Sequence, residues 1–176
     1  MAGLPASGKS TLATSLARRL PELGARHVTV LDGDLVRQQF TPSLGYSRAE
    51  RERHIRRVCE FAREVTAAGG VAICSLIAPY ESGREQARAM IEPVGGFVLV
   101  YLSTPLEVCE ARDPKGLYAK SRAGVITNFT GVSDPYEPPA HPDIEIDTGG
   151  LTPEETAERV MGFLRQAGWL CARASS

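Results

Sequence analysis

The sequence has few lysines, almost no net charge and no long apolar run. The low net charge and the lack of a long apolar run each exclude a class of protein. Only Lys9, Lys115 and Lys120 are lysines, and the other 17 of the 20 basic residues are arginines. Because the formal net charge is −1, no basic field is present to attract nucleic acid or an anionic membrane. No apolar stretch reaches the roughly 20 residues of a transmembrane helix, and the first residues lack a signal-peptide pattern. We therefore expect neither a nucleic-acid nor a membrane partner.

Cysteines are also few and are not spaced for metal binding. Cys59, Cys74, Cys109 and Cys171 form no C-x-x-C pair, which favours a reduced, cytoplasmic protein. A length of 176 residues favours one domain, residues 1–171, followed by a disordered tail, residues 172–176.

The most informative motif lies at the start of the chain. Residues 3–10 read GLPASGKS, the G-x-x-x-x-G-K-[ST] pattern of a phosphate-binding loop. Glycines let backbone N–H groups surround phosphates, while Lys9 can bind the β- and γ-phosphates and Ser10 can bind Mg²⁺. The alternative is a glycine turn that carries a lysine by chance. Apolar residues at helical spacing follow the motif and end at Gly24, as a phosphate-binding loop requires, so the motif predicts nucleotide binding.

Strands and helices alternate along the rest of the chain. Apolar runs predict strands at 27–31, 71–77, 97–101 and 144–147. Capping boxes predict helices that begin after Ser47 and after Thr152. This alternation favours an α/β fold with a parallel sheet covered by helices on both faces. Residues 110–139 are polar and rich in Gly and Pro, which is typical of a lid or a disordered segment.

The position of the phosphate-binding loop is unusual. Such a loop follows a buried strand, and Met1-Ala2 is too short to form one. We therefore expect the first strand to be missing, either because the chain is truncated or because the protein is a degraded paralogue. Truncation is favoured, since the motifs needed for chemistry are all readable downstream.

Two carboxylates follow the predicted strand at 27–31. Asp32 and Asp34 lie at its carboxyl end, where open α/β sheets bind ligands. They could bind Mg²⁺ or its waters and orient an attacking hydroxyl. Asp-Gly is also a common turn pair, so a solvated turn is the alternative interpretation.

A cationic helix face comes next. Arg51 and His54 are three residues apart and so share a face, and Arg37 precedes them in the chain. Together they could bind an anionic second substrate, with arginine as a bidentate donor. The alternative is a solvated face, because four more arginines lie on the same predicted helix.

These segments together resemble adenylylsulfate kinase (APS kinase), a P-loop kinase family of sulfate activation. The matching stretches follow the family's order and cover nearly the whole chain: GLPASGKST, LDGDLVR, LGYSRAERERHIRR, PLEVCEARDPKGLYAKSRAG and NFTGVSDPYEPP. The last two, within or beside the predicted lid, are the most specific. The resemblance implies a P-loop NTPase fold and transfer of the γ-phosphoryl group of ATP to the 3′-hydroxyl of adenosine 5′-phosphosulfate (APS), giving PAPS.

The resemblance also implies roles for individual residues. ATP would be bound by Gly3, Ala6, Ser7, Gly8, Lys9, Ser10, Thr11 and Arg112. APS would be bound by Asp32, Asp34, Arg37, Tyr46, Arg51, His54, Ile77, Lys115 and Phe129, with Tyr46 and Phe129 on the two faces of the adenine. Mg²⁺ would be held by Ser10 and Asp34, and the catalytic residues would be Lys9 and Asp34.

The chain departs from the family's usual pattern at several positions. His54 stands where the family usually has Asn, and Ala78 replaces a serine that has been considered a phosphoenzyme site. Because alanine cannot be phosphorylated, we expect direct in-line transfer. Glu81 and Gly83 also break the charged pattern that normally follows.

Two other functions stay open at this point. The chain could be another small-molecule P-loop kinase, or a nucleotide-binding module without catalysis, which His54, Ala78 and the missing strand would suit. The resemblance is also consistent with a homodimer and with fusion to, or association with, ATP sulfurylase.

Overall fold

The computed structural model describes residues 1–24 and 27–170; Cys171 and the predicted tail at 172–176 therefore lie outside the described residues. Its elements in chain order are β1 (Ala2–Gly3), α1 (Lys9–Arg19), β2 (Val28–Asp32), α2 (Gly33–Phe40), α3 (Arg48–Ala67), β3 (Val71–Ser75), α4 (Glu81–Ile91), β4 (Val100–Leu102), α5 (Leu106–Arg112), α6 (Leu117–Arg122), β5 (Ile144–Ile146) and α7 (Pro153–Gln166). A 3₁₀ turn, Leu20–Leu23, follows α1. Within the described ranges, no helix is long and apolar enough to cross a membrane.

All strand pairs in the sheet are parallel. β4 pairs with β1 on one side and with β5 on the other, and β2 pairs with β3. Backbone hydrogen bonds between the residues around β1 and those that follow β3 join these two pieces. The strand order is therefore β2-β3-β1-β4-β5, with β1 in the centre.

The central strand β1 is the one that the sequence analysis expected to be missing. Ala2 is fully buried, and β1 pairs with β4 along one edge. Along the other edge, the Gly3 N–H donates to the Ile77 carbonyl and the Leu76 N–H to the Met1 carbonyl, both at 3.3 Å. The expectation of a missing strand was wrong, because a two-residue strand with partners on both edges occupies that place.

Apolar clusters cover both faces of the sheet. The cluster shared with α1 and α7 includes Leu12, Leu16, Ile73, Leu102, Ile146, Val160 and Met161. The cluster shared with α3 and α4 includes Val36, Ile55, Val58, Cys59, Leu76 and Leu99. Ile73 and its neighbour Cys74 belong to different clusters, because successive side chains of a strand point to opposite faces. The predicted α/β fold with helices on both faces is confirmed.

The two predicted capping boxes are present. At α7, Glu155 Oε2 accepts from the Thr152 N–H at 2.8 Å, and Pro153 is the first helical residue. At α3, Glu50 accepts from the backbone N–H groups of Ser47 (3.1 Å) and Gly45 (2.9 Å) and from the Ser47 hydroxyl. These bonds, the Ser47 hydroxyl first, lower the pKa of Glu50 to about 2, so its carboxylate stays ionised and fixes the loop before α3.

The predicted lid is only partly irregular. α5 extends to Arg112, and α6 forms a helix at Leu117–Arg122, where the sequence pattern predicted no regular structure. A helix of six residues is too short to show an apolar period. An apolar cluster around Cys109 and Phe129 packs this segment against the phosphate-binding loop, so the lid is folded over that loop.

Gly3 provides a test of how closely the loop packs on the sheet. It has a φ of 151°, and a Cβ there would lie 2.8 Å from both the Leu102 carbonyl oxygen and Ser7 Oγ. We expect Gly3→Ala to lower the free energy of unfolding by about 1–3 kcal/mol, because the backbone must shift. Urea unfolding followed by circular dichroism measures this change.

The matched control is Gly162→Ala in α7, where no atom lies within 4 Å of the added Cβ. This variant should gain about 0.5–1 kcal/mol, because alanine restricts the unfolded chain and favours the helix. Equal losses in the two variants would contradict close packing at Gly3.

Candidate active site

The phosphate-binding loop connects β1 to α1. Gly8 has a φ of 96° and precedes Lys9, the first residue of α1, while Ala6 also has a positive φ of 61°. Such left-handed residues let consecutive N–H groups form an anion-binding concavity, which lies here at the N-terminus of a helix. The Lys9 ammonium donates to the Leu4 carbonyl at 2.6 Å and to Ser7 Oγ at 3.2 Å. The loop therefore holds its own lysine close to the place where phosphates would bind.

The Lys9 ammonium is unusually easy to deprotonate. The residue is only 8% exposed, and this burial lowers the pKa of Lys9 to about 8, although Asp34 and Asp32 act in the opposite direction. A bound phosphate would supply the negative charge that the buried ammonium otherwise lacks.

Ser10 and Asp32 form the oxygen-rich part of the site. The Ser10 hydroxyl donates to Asp32 Oδ2 at 2.7 Å and lies 3.4 Å from the Ser75 hydroxyl. The other Asp32 oxygen caps α2 by accepting from the backbone N–H groups of Asp34 and Leu35. Hydroxyl and carboxylate oxygens suit Mg²⁺, which takes only one or two protein ligands when phosphates and water complete its shell. The residues present therefore fit Mg²⁺, although the described residues contain no cluster of three or more His, Cys, Asp or Glu suited to a metal.

Asp34 points toward the lid. Its Oδ2 accepts from Lys115 Nζ at 2.6 Å, and this bond raises the pKa of Lys115. Both side chains are more than 60% exposed, so the pair contributes little to stability. It does bring the lid lysine next to the carboxylate that was predicted to be catalytic.

Arg37 and Arg51 flank the exposed ring of Tyr46. Their guanidinium carbons lie 4.8 Å and 5.4 Å from the centre of the ring. Arg37 donates to the carbonyls of Leu44 and Gly45 at 3.0 Å and 2.8 Å. Arg51 donates to the Tyr46 carbonyl at 2.9 Å. Arg51 also lies 3.8 Å from the Asp134 carboxylate, whereas Arg37 contacts carbonyls and the ring, which carry no full negative charge. Arg37 can therefore bind an anion on this side of the site.

The base of the lid is tied to the phosphate-binding loop through Thr148. Arg112 donates to Thr148 Oγ1 at 2.8 Å and to its carbonyl at 2.6 Å. The Thr148 hydroxyl is in turn 3.2 Å from the Ser7 carbonyl and 2.8 Å from the Thr104 hydroxyl. Tyr118, on α6, donates to the Pro5 carbonyl at 3.0 Å. The lid and the loop are thus one connected unit.

The far arm of the lid is tied to α3 and to the segment after β3. The Asp134 carboxylate accepts from the Tyr80 hydroxyl at 2.9 Å and lies 3.8 Å from Arg51. Arg84, which is 3% exposed, donates to the Ala78 carbonyl at 2.6 Å and to the Glu137 carbonyl at 2.7 Å. The Glu81 carboxylate also accepts from Arg84, from Nε at 3.2 Å and from Nη2. This buried guanidinium is thus fully bonded and holds the lid arm in place.

One cavity of about 780 Å³ collects these groups. Of the predicted site residues, it is lined by Ala6, Gly8, Lys9, Ser10, Thr11, Asp32, Asp34, Arg37, Tyr46, Arg51, His54, Ile77, Arg112, Lys115 and Phe129. Gly3 and Ser7 lie beneath its lining, packed in the loop. The structure therefore brings residues from both ends of the chain to a single site at the carboxyl edge of the sheet.

The two predicted adenine-stacking residues sit at different depths in this cavity. Phe129 is 8% exposed and packs edge-on against Tyr118, with ring centres 5.0 Å apart. Tyr46 is 56% exposed. A sandwich of an adenine between Phe129 and Tyr46 stays a prediction.

Sequence reasoning missed several residues that support the site. Thr148 follows the strand pattern of β5, and a polar residue at the carboxyl end of a parallel strand is a usable signal. Tyr118, Asp134 and Glu137 lie within the quoted lid stretches, but their partners are far away in the chain. Arg84 had no signal, because an arginine that becomes buried looks in sequence like any exposed one.

A parallel sheet whose central strand leads into a phosphate-binding loop, with a lid and a cationic second site, defines a P-loop kinase. The family model of adenylylsulphate kinase matches residues 1–147. An adenylyl-sulfate kinase of Halothermothrix orenii is 48% identical over 168 residues, which cover 96% of this chain and 89% of that protein. These matches show that the chain belongs to the adenylylsulphate kinase family.

Two further relatives add structure and context. The Mycobacterium tuberculosis APS kinase, solved in complex with AMPPNP and APS, superposes with a TM-score of 0.88 at 39% identity, covering 93% of this chain and 94% of that one. A sulfate adenylyltransferase of Neurospora crassa is 41% identical over 168 residues, which cover 96% of this chain but only 29% of that protein. The predicted family and fold are confirmed.

The lowered pKa of Lys9 predicts proton uptake when nucleotide binds. Above pH 8 the free enzyme carries mostly neutral Lys9, and the phosphates restore its charged form. At pH 8.5 we expect ADP binding to take up a large fraction of a proton, and at pH 7 almost none. Titration calorimetry in two buffers of different ionisation enthalpy measures this uptake.

Lys9→Arg serves as the control, since arginine stays charged at both pH values. Its binding of ADP should show no extra uptake at pH 8.5. The same uptake in both proteins would contradict a buried, easily deprotonated Lys9.

Proposed function

We propose that this kinase transfers the γ-phosphoryl group of ATP to the 3′-hydroxyl of APS, giving PAPS and ADP. The observation that carries the proposal is the single cavity in which the phosphate-binding loop faces Asp34 and the cationic pair Arg37 and Arg51. The complex of the M. tuberculosis relative with AMPPNP and APS supports the same pair of ligands for this chain.

ATP would occupy the side of the cavity formed by the phosphate-binding loop. Backbone N–H groups of the loop and of the first turn of α1, together with the Lys9 ammonium, would bind the phosphates, and Arg112 would lie beside them from the lid. When bound, Mg²⁺ would neutralise phosphate charge and orient the phosphates, held by the Ser10 hydroxyl and by Asp32 or Asp34. Asp32 is favoured as the nearer partner, because it already bonds Ser10 at 2.7 Å.

APS would occupy the other side. Arg37 and Arg51 would neutralise its phosphosulfate, and Tyr46 and Phe129 would contact the adenine. Ile77 and Lys115 line the same wall of the cavity. The bonds of Lys115 to Asp34 and of Asp134 to Tyr80 support a lid on this side, which would keep water from the phosphoryl group.

The transfer needs positioning and charge neutralisation more than covalent help. The 3′-oxygen of APS forms a bond to the γ-phosphorus as the bond from that phosphorus to the β–γ bridging oxygen breaks, which leaves ADP. The proton of the 3′-hydroxyl passes late to the Asp34 carboxylate, which Lys115 holds from the lid side. Lys9 stabilises the charge that develops on the transferring group.

The setting of this reaction follows from the same family relation. We propose a cytoplasmic enzyme that forms a homodimer or works alongside ATP sulfurylase, which makes APS. The long sulfate adenylyltransferase relative supports a functional link between the two activities. A different small-molecule kinase, or a module that binds nucleotide without catalysis, would be identified by a panel of hydroxyl acceptors assayed together with APS.

Lys9→Ala tests the proposed role of the phosphate-binding loop. We expect turnover to fall by about 10²–10³-fold, because transition-state charge loses its partner, while the KM for APS changes little. A coupled ADP-release assay with APS as acceptor measures the turnover and the KM for APS.

Lys120→Ala is the matched control. Lys120 is an exposed lid lysine outside the cavity lining, and its loss should leave the rate unchanged. Unaltered turnover in Lys9→Ala would contradict the proposed function.

Direct transfer makes a separate prediction. Ala78 has no hydroxyl to phosphorylate, so incubation with ATP labelled at the γ-phosphate should leave no label on the protein when APS is absent. When APS is added, all the transferred label should appear in PAPS. Acid-stable label on the protein that is then chased into PAPS would show a phosphoenzyme route instead.

A further inference from the structure

His54 and Ala78 are the two departures from the pattern of the family that line the cavity, and His54 is the one with a polar side chain. It lies on α3, is 5% exposed, and its Nδ1 is 3.1 Å from the Thr41 hydroxyl. Nε2 lies on the side of Gly33, 3.7 Å from where a Cβ on that residue would be. Both ring nitrogens therefore face protein groups.

The bond to Thr41 fixes the orientation of the ring. The Thr41 hydroxyl donates to an unprotonated Nδ1 and accepts from a protonated one, so either neutral tautomer keeps the bond. A positive charge on His54 would need a second proton.

The surroundings of His54 oppose that second proton. Burial is the main cause, and the neighbouring guanidinium of Arg37 adds to it, so that the pKa of His54 falls to about 4. The Asp34 carboxylate and the Gly33 carbonyl act in the opposite direction but do not outweigh them. The imidazole is therefore neutral near pH 7.

The groups beside the two ring nitrogens lie at opposite ends of α2. Gly33 is the first residue of this eight-residue helix and adjoins Asp34, and Thr41 is the residue that ends it. The loop that follows Thr41 carries the Leu44 and Gly45 carbonyls that Arg37 binds. One buried ring on α3 thus bonds the end of the helix that carries Asp34 and Arg37 and lies against its start.

We infer that His54 and Thr41 act as a positioning pair that fixes α2, and with it Asp34. This inference rests on the proposed function only for the identity of the reaction. The geometry of the pair belongs to the chain itself. Thr41 becomes, in this view, a functional residue although it touches neither substrate.

Kinetics separate a positioning pair from an anion ligand. We expect Thr41→Val, which removes only the hydroxyl, and His54→Ala each to lower kcat roughly tenfold with a smaller change in the KM for APS. The double variant should have the same kcat as His54→Ala alone, because each single change already removes the bond between Thr41 and His54.

Two control variants accompany these. Thr41→Ser keeps the hydroxyl and should restore the rate, and Ser43→Ala, an exposed position in the same loop, should leave the rate unchanged. A large rise in the KM for APS in His54→Ala, with a normal Thr41→Val, would overturn the inference.

Nitrogen NMR of the histidine rings tests the pair without any activity. The chain has three histidines, and His27 and His141 are exposed, so single His→Gln variants assign all three signals. At pH 7 we expect His54 to show the neutral form, and Thr41→Val to shift its Nδ1 signal. An Nδ1 signal of His54 that Thr41→Val leaves unchanged would overturn the inference whether or not the protein makes PAPS.

Discussion

The insertion of β1 between β3 and β4 is the constraint on which the rest of this structure depends. Met1 and Gly3 bond β3 and the residues that follow it, and Ala2 and Gly3 pair with β4, so this short segment joins the two pieces of sheet. The same residues fix where the phosphate-binding loop begins, because Gly3 has no space for a Cβ between the Leu102 carbonyl and Ser7. The continuity of the sheet and the position of the loop thus both depend on the close packing of the Gly3 backbone against its neighbours.

Buried cations satisfied by backbone carbonyls connect the lid to this core. Lys9 donates to the Leu4 carbonyl, Arg51 to those of Tyr46 and Asn128, and Arg84 to those of Ala78 and Glu137. Arg51 and Arg84 also meet carboxylates, those of Asp134 and Glu81. Carbonyls and carboxylates together therefore hold the lid on the core.

The departures of this chain from the pattern of its family have different consequences. Ala78 removes a hydroxyl that direct transfer does not need, and its carbonyl still accepts from the buried Arg84. His54 puts a ring in a place where an amide is usual, and that ring bonds Thr41 at 3.1 Å. Neither departure disturbs the loop or the Asp pair, so both are compatible with a working kinase.

The sequence alone determined the motif chemistry, the alternation of strands and helices and the family, because these depend on local patterns of residue type. The capping boxes were predictable for the same reason, and nearly all the predicted site residues line the cavity. Only the tertiary structure decided that Ala2 and Gly3 form the central strand, that Arg84 is buried and that Thr148 links lid and loop. Each of these depends on partners far away in the chain, and hydrogen bonding and burial between distant segments leave no mark in the local pattern.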